Sequence, residues 1–501
     1  MSFMIWENVR NYITLTLHII KKERNFIMRK KLLCVSMCVA MAASVLAGCG
    51  SKDDKKDDTT KGAGDDATTT TAASGEEGGD EVGDASKGKV YYLNFKPESE
   101  DAWKKVADAF TADTGIEVKV VTAASGTYES TLKSEMGKSE APTLFQINGP
   151  VGYATWKDYC EDLASTDFAN WVFDKSLLVT DGDGVYGVPY CVESYGIICN
   201  KKIFEAYFAL DGRADTGCAK LEDINSFAKL KAVADDMQAH KDDLGIKGAF
   251  SSAGMDSSSD WRFKTHLLNV AISAEFKDAG ADDMDEIEFK YADNFKQMWD
   301  LYITDSTCEP GMLGQKTGGD STSEFALGEA AMYQNGVWAW GDIAKSEGAK
   351  VTEADIAYLP IYMGLEGEEN QGLCTGTENY MCVNKEASAD DKAATIKFVE
   401  WVFGSDAGKK MVSEDLGFLT SFTTFKPEEA PADPLKLAAA AYNSNASLTP
   451  VSWVGMNHMP SEEFKNVVGA DMLQYAQGSM DWSQVKDDTI QSWADEKALS
   501  K

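Results

Sequence analysis

The chain has 501 residues, of which 81 are acidic and 48 are Lys or Arg, so its formal net charge is −33 and its isoelectric point is near 4.5. Such an acidic chain argues against binding to nucleic acid or to anionic membrane surfaces, because both carry negative charge themselves. From residue 88 onwards the chain is longer than one hydrophobic core usually supports, so we predict two lobes.

The start of the chain is predicted to be an export signal. Met28 to Lys31 is positively charged, and an apolar run follows from Leu32 to Leu46. At about 1.5 Å per residue this run cannot span roughly 30 Å of hydrocarbon, so residues 28–48 are interpreted as a signal peptide. Residues 1–27 show no such pattern and are interpreted as an over-extended start.

The predicted signal ends in Leu46-Ala47-Gly48-Cys49, which resembles the lipobox that is cleaved before a lipid-modified cysteine. Cys49 is therefore the predicted lipidation site, and we expect the protein at the cell surface, anchored to the outer face of the cytoplasmic membrane. Residues 49–87 contain few apolar residues and no aromatic residue, so this part is predicted to be a disordered tether. Its root-mean-square reach would be roughly 35 Å.

Strands and helices alternate after the tether. Strands are predicted over residues 89–94, 116–121 and 143–147, with an amphipathic helix that ends at Gly115 and a second helix over 128–138. This β-α-β-α-β order predicts a mostly parallel sheet with helices on both faces. Ligands bind beyond the carboxyl ends of such strands. The loops expected to line one wall of a site are therefore 95–98, 125–128 and 148–150.

Residues 180–190 contain a cluster of Asp and Gly that has some likeness to a calcium-binding loop. The ligand pattern of an EF-hand and its final Glu are absent, so a β-hairpin is the better interpretation.

The most informative stretch runs from Glu324 to Trp340. Its apolar residues predict a buried strand over 330–333, and Asn335-Gly336 predicts a turn because both residues tolerate positive φ. Trp338 and Trp340 follow two residues apart, which on an extended segment would put one in the core and the other against a ligand. Taken alone, a pair of Trp residues is more typical of core packing.

The whole stretch closely resembles the signature of the bacterial extracellular solute-binding proteins of the sugar-binding, maltose-binding-protein-like kind. The resemblance extends over residues 88–497. It implies an α/β fold with two lobes, each a mostly parallel sheet flanked by helices, joined by hinge crossings near 193–200 and 417. The expected division is 88–195 plus 358–418 for lobe 1 and 196–357 plus 419–501 for lobe 2.

The resemblance also implies a function. It indicates a monomeric receptor that captures a carbohydrate, specifically an oligosaccharide, between its lobes and delivers it to the permease subunits of an ABC importer. It implies no catalysis, no cofactor and no metal ion.

Several residues match positions at which the family contacts its ligand. Trp338 stands where the family places a sugar-stacking ring, and Glu193 where it places a carboxylate beside the hinge. Asp260 and Trp261 resemble a second-lobe contact, although Trp261 could equally be a core residue at a helix start. Asn148 replaces an aspartate of the maltose binders, which indicates a different pattern of hydroxyl groups. The predicted ligand-binding residues, aromatic for sugar faces and polar for hydroxyls, are Lys96, Ser125, Tyr128, Asn148, Glu193, Tyr195, Asp260, Trp261, Arg262, Trp338, Glu378 and Trp453.

Two other functions stay open at this point. Glu193, Asp260 and Glu378 could supply the two carboxylates of a surface glycoside hydrolase, but the usual catalytic motifs are absent. The same fold could instead bind a non-sugar solute such as a polyamine or a peptide. A polyamine would require an unpaired acidic floor, whereas Lys96 and Arg262 add cations to the predicted site.

The cysteines after Cys49 are scattered and lack the Cys-x-x-Cys spacing of a metal site. We expect most of them to be small buried residues without disulfide partners. They are Cys160, Cys191, Cys199, Cys218, Cys308, Cys374 and Cys382.

Overall fold

The computed structural model describes residues 83–499 of the chain. The predicted signal peptide, the predicted lipidation site Cys49 and the tether up to residue 82 lie outside the described residues. The described residues belong to one compact unit. Among them, no helix combines the length and the apolar character that crossing a membrane requires.

The strands of the described part form two sheets. They are β1 (Val90–Asn94), β2 (Val118–Thr122), β3 (Leu144–Ile147), β4 (Val179–Asp181), β5 (Gly184–Pro189), β6 (Glu193–Asn200), β7 (Gly248–Phe250), β8 (Ala330–Gly336), β9 (Ile356–Leu359), β10 (Gln371–Gly376), β11 (Tyr380–Val383) and β12 (Thr449–Ser452). The first sheet has the order β2-β1-β3-β11-β5-β4, and the second has the order β12-β10-β6-β8-β7 with β9 also paired to β6.

Helices cover both sheets. They are α1 (Glu100–Thr114), α2 (Tyr128–Met136), α3 (Gly149–Trp156), α4 (Asp167–Trp171), α5 (Lys201–Phe208), α6 (Phe227–Ala239), α7 (Lys241–Leu244), α8 (Leu268–Ala279), α9 (Ala292–Thr304), α10 (Gly318–Ala326), α11 (Trp340–Lys345), α12 (Ala389–Gly404), α13 (Asp406–Met411), α14 (Pro434–Asn443), α15 (Val454–Asn457), α16 (Glu462–Ala476) and α17 (Trp482–Leu499). A turn of π-helix, Arg262–Leu267, leads into α8.

The two-lobed α/β fold predicted from the sequence is confirmed, but both sheets are mixed. β1 pairs in parallel with β2 and β3, as the β-α-β-α-β order predicts. β11 returns from the second lobe and pairs antiparallel to β3 and β5. In the second sheet, β6 pairs antiparallel to β8, β9 and β10. The strands that enter each sheet from the opposite lobe, β11 and β6, therefore run antiparallel to their neighbours.

The chain passes between the lobes at three places. It leaves the first sheet after Pro189 and enters the second at Glu193, and it returns between Gly376 and Tyr380. The last crossing lies beyond Gly417, because Phe422 packs in the first-lobe core whereas Leu435 packs in the second. β9 and β10 are strands of the second sheet, although the predicted division places residues 358–376 in lobe 1.

The first described residues correct the predicted extent of the tether. Ala85–Lys87 form a 3₁₀ turn, in which the Asp84 carboxylate accepts from the backbone N–H of Ser86. The backbone N–H of Asp84 donates to Asp390 at 2.7 Å, and that of Lys89 donates to Asp391 at 2.8 Å. The start of α12 therefore holds residues 84–89 against the first lobe.

The cysteines after Cys49 are unpaired in the structure, and all but the half-buried Cys308 are buried. This confirms the prediction that most of them pack as small core residues.

Candidate ligand cleft between the lobes

The loops predicted to line one wall face the second lobe. Ser125 Oγ, in the loop after β2, donates to the carbonyl oxygen of Ser258 at 3.1 Å. A Cβ atom built on Gly149, the first residue of α3 after β3, would lie 3.6 Å from the side chain of Asn457. Asn457 Nδ2 in turn donates to the carbonyl oxygen of Thr377 at 3.0 Å, in the second crossing. The structure therefore shows the lobes in contact across a closed cleft.

A buried ion pair lies at the hinge side of this cleft. Lys96 Nζ is 2.9 Å from both carboxylate oxygens of Glu193, and 3.6 Å from Glu98 Oε1. Asn379 Nδ2 also donates to Glu193 Oε2, at 3.3 Å. Burial alone would lower the pKa of Lys96, but the charges of Glu193 and Glu98 outweigh it and raise that pKa. Lys96 is thus a fixed cation, and it lies 5.6 Å from the ring centre of Trp338.

An aromatic cluster continues from Trp338 into the second lobe. Trp338 and Trp261 are half-buried, with ring centres 6.1 Å apart. His266 lies 5.0 Å from Trp261 and 5.6 Å from Trp338, and its ring stacks on Tyr195 at 4.2 Å. Trp453 is the last member of the cluster, and its ring centre is 5.4 Å from that of Tyr195. Half-buried rings of this kind can cover the apolar face of a ligand.

Two glycines let these rings lie against the backbone. A Cβ atom on Gly336 would be 2.2 Å from the ring of Trp338, and one on Gly376 would be 2.6 Å from the ring of Trp453. Both distances are far shorter than a carbon–carbon contact of about 3.5 Å. A side chain at either position would therefore displace the indole.

His266 is a member of the cluster that the sequence did not indicate, because it belongs to no motif. The π-helical turn Arg262–Leu267 contains it, and in such a turn hydrogen bonds join residues five apart, which is the spacing between Trp261 and His266. Burial, followed by the charges of Arg262 and Lys96, lowers the pKa of His266 to about 3. The imidazole is therefore neutral at physiological pH.

A second group of charges lies where the crossing at Thr377–Asn379 approaches both lobes. Lys465 Nζ is 2.6 Å from Glu462 Oε1 on α16, and it acts electrostatically on Glu378 and on Glu129 of α2. Trp156 Nε1 donates to Glu129 Oε2 at 3.1 Å. Burial raises the pKa of both Glu129 and Glu378. Of this group, only Glu378 was among the predicted residues.

Four predicted residues have contacts within a lobe. Arg262 is buried, and its Nη2 donates to the carbonyl oxygen of Ala253 at 2.9 Å. The Tyr128 hydroxyl accepts from the backbone N–H of Gln146 at 2.7 Å. The remaining two are Tyr195, whose hydroxyl donates to the carbonyl oxygen of His266 at 2.9 Å, and Asp260, which pairs with Lys264 at 2.9 Å.

The other predicted residues differ in their exposure. Ser125 is exposed, and Asn148, Trp261, Trp338 and Glu378 are half-buried. Trp453 is buried, with its Nε1 lacking a hydrogen-bond partner in the described part of the chain. Within residues 83–499, no group of three or more His, Cys, Asp or Glu side chains could hold a metal ion.

The structure of residues 324–340 differs in detail from the prediction. Asn335 and Gly336 belong to β8, paired with Gly196 and Tyr195, so no turn occurs there. A 3₁₀ turn, Val337–Ala339, follows, and Trp340 begins α11. Trp340 is half-buried, so it is not the fully buried opposite-face residue that an extended segment predicts.

The comparisons with known proteins agree with this architecture. A family model described as bacterial extracellular solute-binding protein matches residues 105–439. No curated protein matches the chain. Among solved structures, the solute-binding protein RafE in complex with raffinose has a TM-score of 0.62 and 17% identity, covering 82% of this chain and 99% of that one.

Two further structures show the same similarity. A chitin oligosaccharide binding protein has a TM-score of 0.62 and 18% identity, covering 82% of this chain and 100% of that one. A sugar transporter protein from Bacillus licheniformis in complex with stachyose has a TM-score of 0.59 and 16% identity, covering 81% and 100%. The matched family and these structures are binding proteins, not enzymes. The chain belongs to the bacterial extracellular solute-binding protein family.

Proposed function

We propose that this protein captures a carbohydrate, specifically an oligosaccharide, in the cleft between its lobes and delivers it to an ABC importer. The observation that carries the proposal is the pair of half-buried rings of Trp338 and Trp261, backed by His266 and the buried Trp453. The charged and amide groups around Glu193 and Glu378 flank this pair. The names of similar structures support it, because they describe complexes with raffinose and stachyose.

The chemistry of a sugar fits this arrangement. A pyranose ring has apolar C–H faces, which indole rings cover, and a rim of hydroxyls, which carboxylates, amides and ammonium groups pair. A buried hydroxyl without a partner costs about 1–3 kcal/mol. The fixed pair of Lys96 and Glu193, held by Asn379, would therefore select ligands whose hydroxyls match its positions.

Ligand capture should change the shape of the protein. The contact between Ser125 and Ser258 and the approach of Gly149 to Asn457 belong to the closed arrangement, and we expect the empty protein to open about the three crossings. Small-angle scattering of residues 50–501 should give a smaller radius of gyration once a binding oligosaccharide, found by a thermal-shift screen, is added. An unchanged profile at saturation would contradict closure about a hinge.

The location of the protein is a separate part of the proposal. We infer that Cys49 carries a lipid and that the mature monomer is held on the outer face of the cytoplasmic membrane, next to the permease. Replacing Cys49 with Ala should release the protein from membranes or leave uncleaved precursor. Cell fractionation with lipid labelling tests this, with Cys38→Ala, inside the predicted signal, as the matched control. A Cys49→Ala protein of mature size that still carries lipid would refute the anchor.

A further inference from the structure

We propose that the ligand is an amino sugar, and that its protonated amino group is received at the second crossing by Glu378 together with Thr377 and Asn379. This inference rests on the proposed function and names the class of carbohydrate.

The second crossing has buried oxygen atoms that lack hydrogen-bond partners. Asn379 is 1% exposed and Thr377 is 3% exposed, and neither Asn379 Oδ1 nor Thr377 Oγ1 has a partner among the described residues. Asn379 Nδ2 faces the Glu193 carboxylate at 3.3 Å, which fixes the amide so that its oxygen is the free atom. Asn457 Oδ1, whose amide nitrogen binds the carbonyl oxygen of Thr377, is also unpaired. Amide oxygens can only accept, so they require a ligand rich in donors.

Glu378, which lies between Thr377 and Asn379 in the chain, adds a carboxylate to the crossing. Glu378 is half-buried, and within residues 83–499 it has neither a hydrogen bond nor an ion pair. Burial raises its pKa even though the charges of Lys465 and Lys96 lower it, so the ionised form is only partly compensated in the closed cleft. Lys465, the cation that acts most strongly on Glu378, is already bound to Glu462 at 2.6 Å.

The charges around the crossing are not balanced. Arg262, expected from the sequence to add a cation, is turned into the second lobe and bound to Ala253. Asp260 and Lys264 neutralise each other at 2.9 Å. Among the described residues, the carboxylates that act on one another across the cleft outnumber the ammonium groups: they are Glu98, Glu129, Glu193, Glu378 and Glu462, against Lys96 and Lys465.

An ammonium group on the ligand would account for the unpaired oxygens, for the unpaired carboxylate of Glu378 and for the excess of carboxylates. It brings one positive charge and three donors and no acceptor, whereas a sugar hydroxyl brings one donor and no charge. The neighbouring rings would cover the C–H face of the same sugar. Free polyamines lack such a face, so they use only part of the site.

The test compares oligosaccharides that differ at one substituent. Calorimetric titration of residues 50–501 uses three β-1,4-linked series with the same backbone: glucosamine, N-acetylglucosamine and glucose oligosaccharides, with spermidine and maltooligosaccharides as further probes. We expect the glucosamine series to bind at least tenfold more tightly than either neutral β-1,4 counterpart, with spermidine weaker than all glucosamine oligosaccharides. Glu378→Gln should abolish this preference, and the exposed Glu347→Gln should leave it unchanged.

The contrary outcomes separate the two proposals. If a neutral oligosaccharide binds as tightly as the glucosamine series, the amino-sugar inference fails and carbohydrate capture stands. If spermidine binds and none of the sugars does, both fail. If the glucosamine preference survives in a folded Glu378→Gln protein, the assignment of the amino group to this crossing is refuted.

Discussion

Replacing Trp338 with Ala should weaken oligosaccharide binding by about 2–4 kcal/mol, or roughly thirty- to thousandfold. The ring is half-buried beside Trp261, His266 and Lys96, so its removal takes away a central aromatic surface and admits water to the neighbouring polar pairs. Folding should suffer less than binding, because part of the ring is uncovered without ligand. Calorimetric titration and denaturant unfolding of the same variant measure the two effects.

The matched control is Trp340→Ala, two residues further along. Trp340 packs against the core cluster around Ile343 and Val351, which Trp338 also contacts, but it lacks the contacts with Trp261, His266 and Lys96 that Trp338 makes. Since it is half-buried, its truncation should cost less than the 3–5 kcal/mol typical of a buried Trp and leave the affinity unchanged. Loss of binding in Trp340→Ala with normal binding in Trp338→Ala would show that the two roles are reversed.

Replacing Lys96 with Met should lower the free energy of unfolding by about 3–5 kcal/mol, which is the usual cost of leaving one charge of a buried pair alone. Glu193 is 7% exposed and would keep only the amide of Asn379. It would also face Glu98 and Glu378 without an intervening cation. The shift of the urea unfolding midpoint measures the effect.

Two variants separate charge isolation from loss of packing. The double replacement Lys96→Met with Glu193→Gln removes both charges, and it should recover most of the lost stability. Lys104→Met breaks the exposed pair with Glu100 and should barely move the midpoint. If the double variant is no more stable than Lys96→Met alone, the cost comes from packing and not from an uncompensated carboxylate.

Much of the fold was predictable, because the spacing of apolar residues and the order of strands and helices along the chain indicate it. The alternation over β1, α1, β2, α2 and β3 predicted parallel pairing, and Gly115 ends α1 with φ 76° as expected of a helix C-terminus. Where β9 and β10 belong was not predictable, because a buried strand carries no mark of the sheet that it joins. Only its partners, here β6 for both strands, decide this.

The site was predictable where a local motif or a buried charge marks it. Lys96, predicted as a ligand-binding residue, lies beside Trp338 and Glu193, and the ligand-binding role of these three residues stays a prediction. The contact of the Arg262 guanidinium with Ala253, which follows from the π-helical turn, was not predictable because such a turn leaves no simple pattern in sequence. His266 and Asn379 were missed because each is an isolated polar residue whose importance depends on neighbours far along the chain.

The glycines beside Trp338 and Trp453 have a consequence for how the ligand specificity of this protein could change. Because a Cβ atom at Gly336 or Gly376 would overlap an indole ring, one added methyl group would force that ring to move, and a move toward the cleft would narrow the space for a ligand. Substitutions at positions that do not contact the ligand could therefore change which ligand binds. Gly336 and Gly376 thus control the position of the rings. Replacing them is a route to new specificities in which every ligand-facing residue is retained.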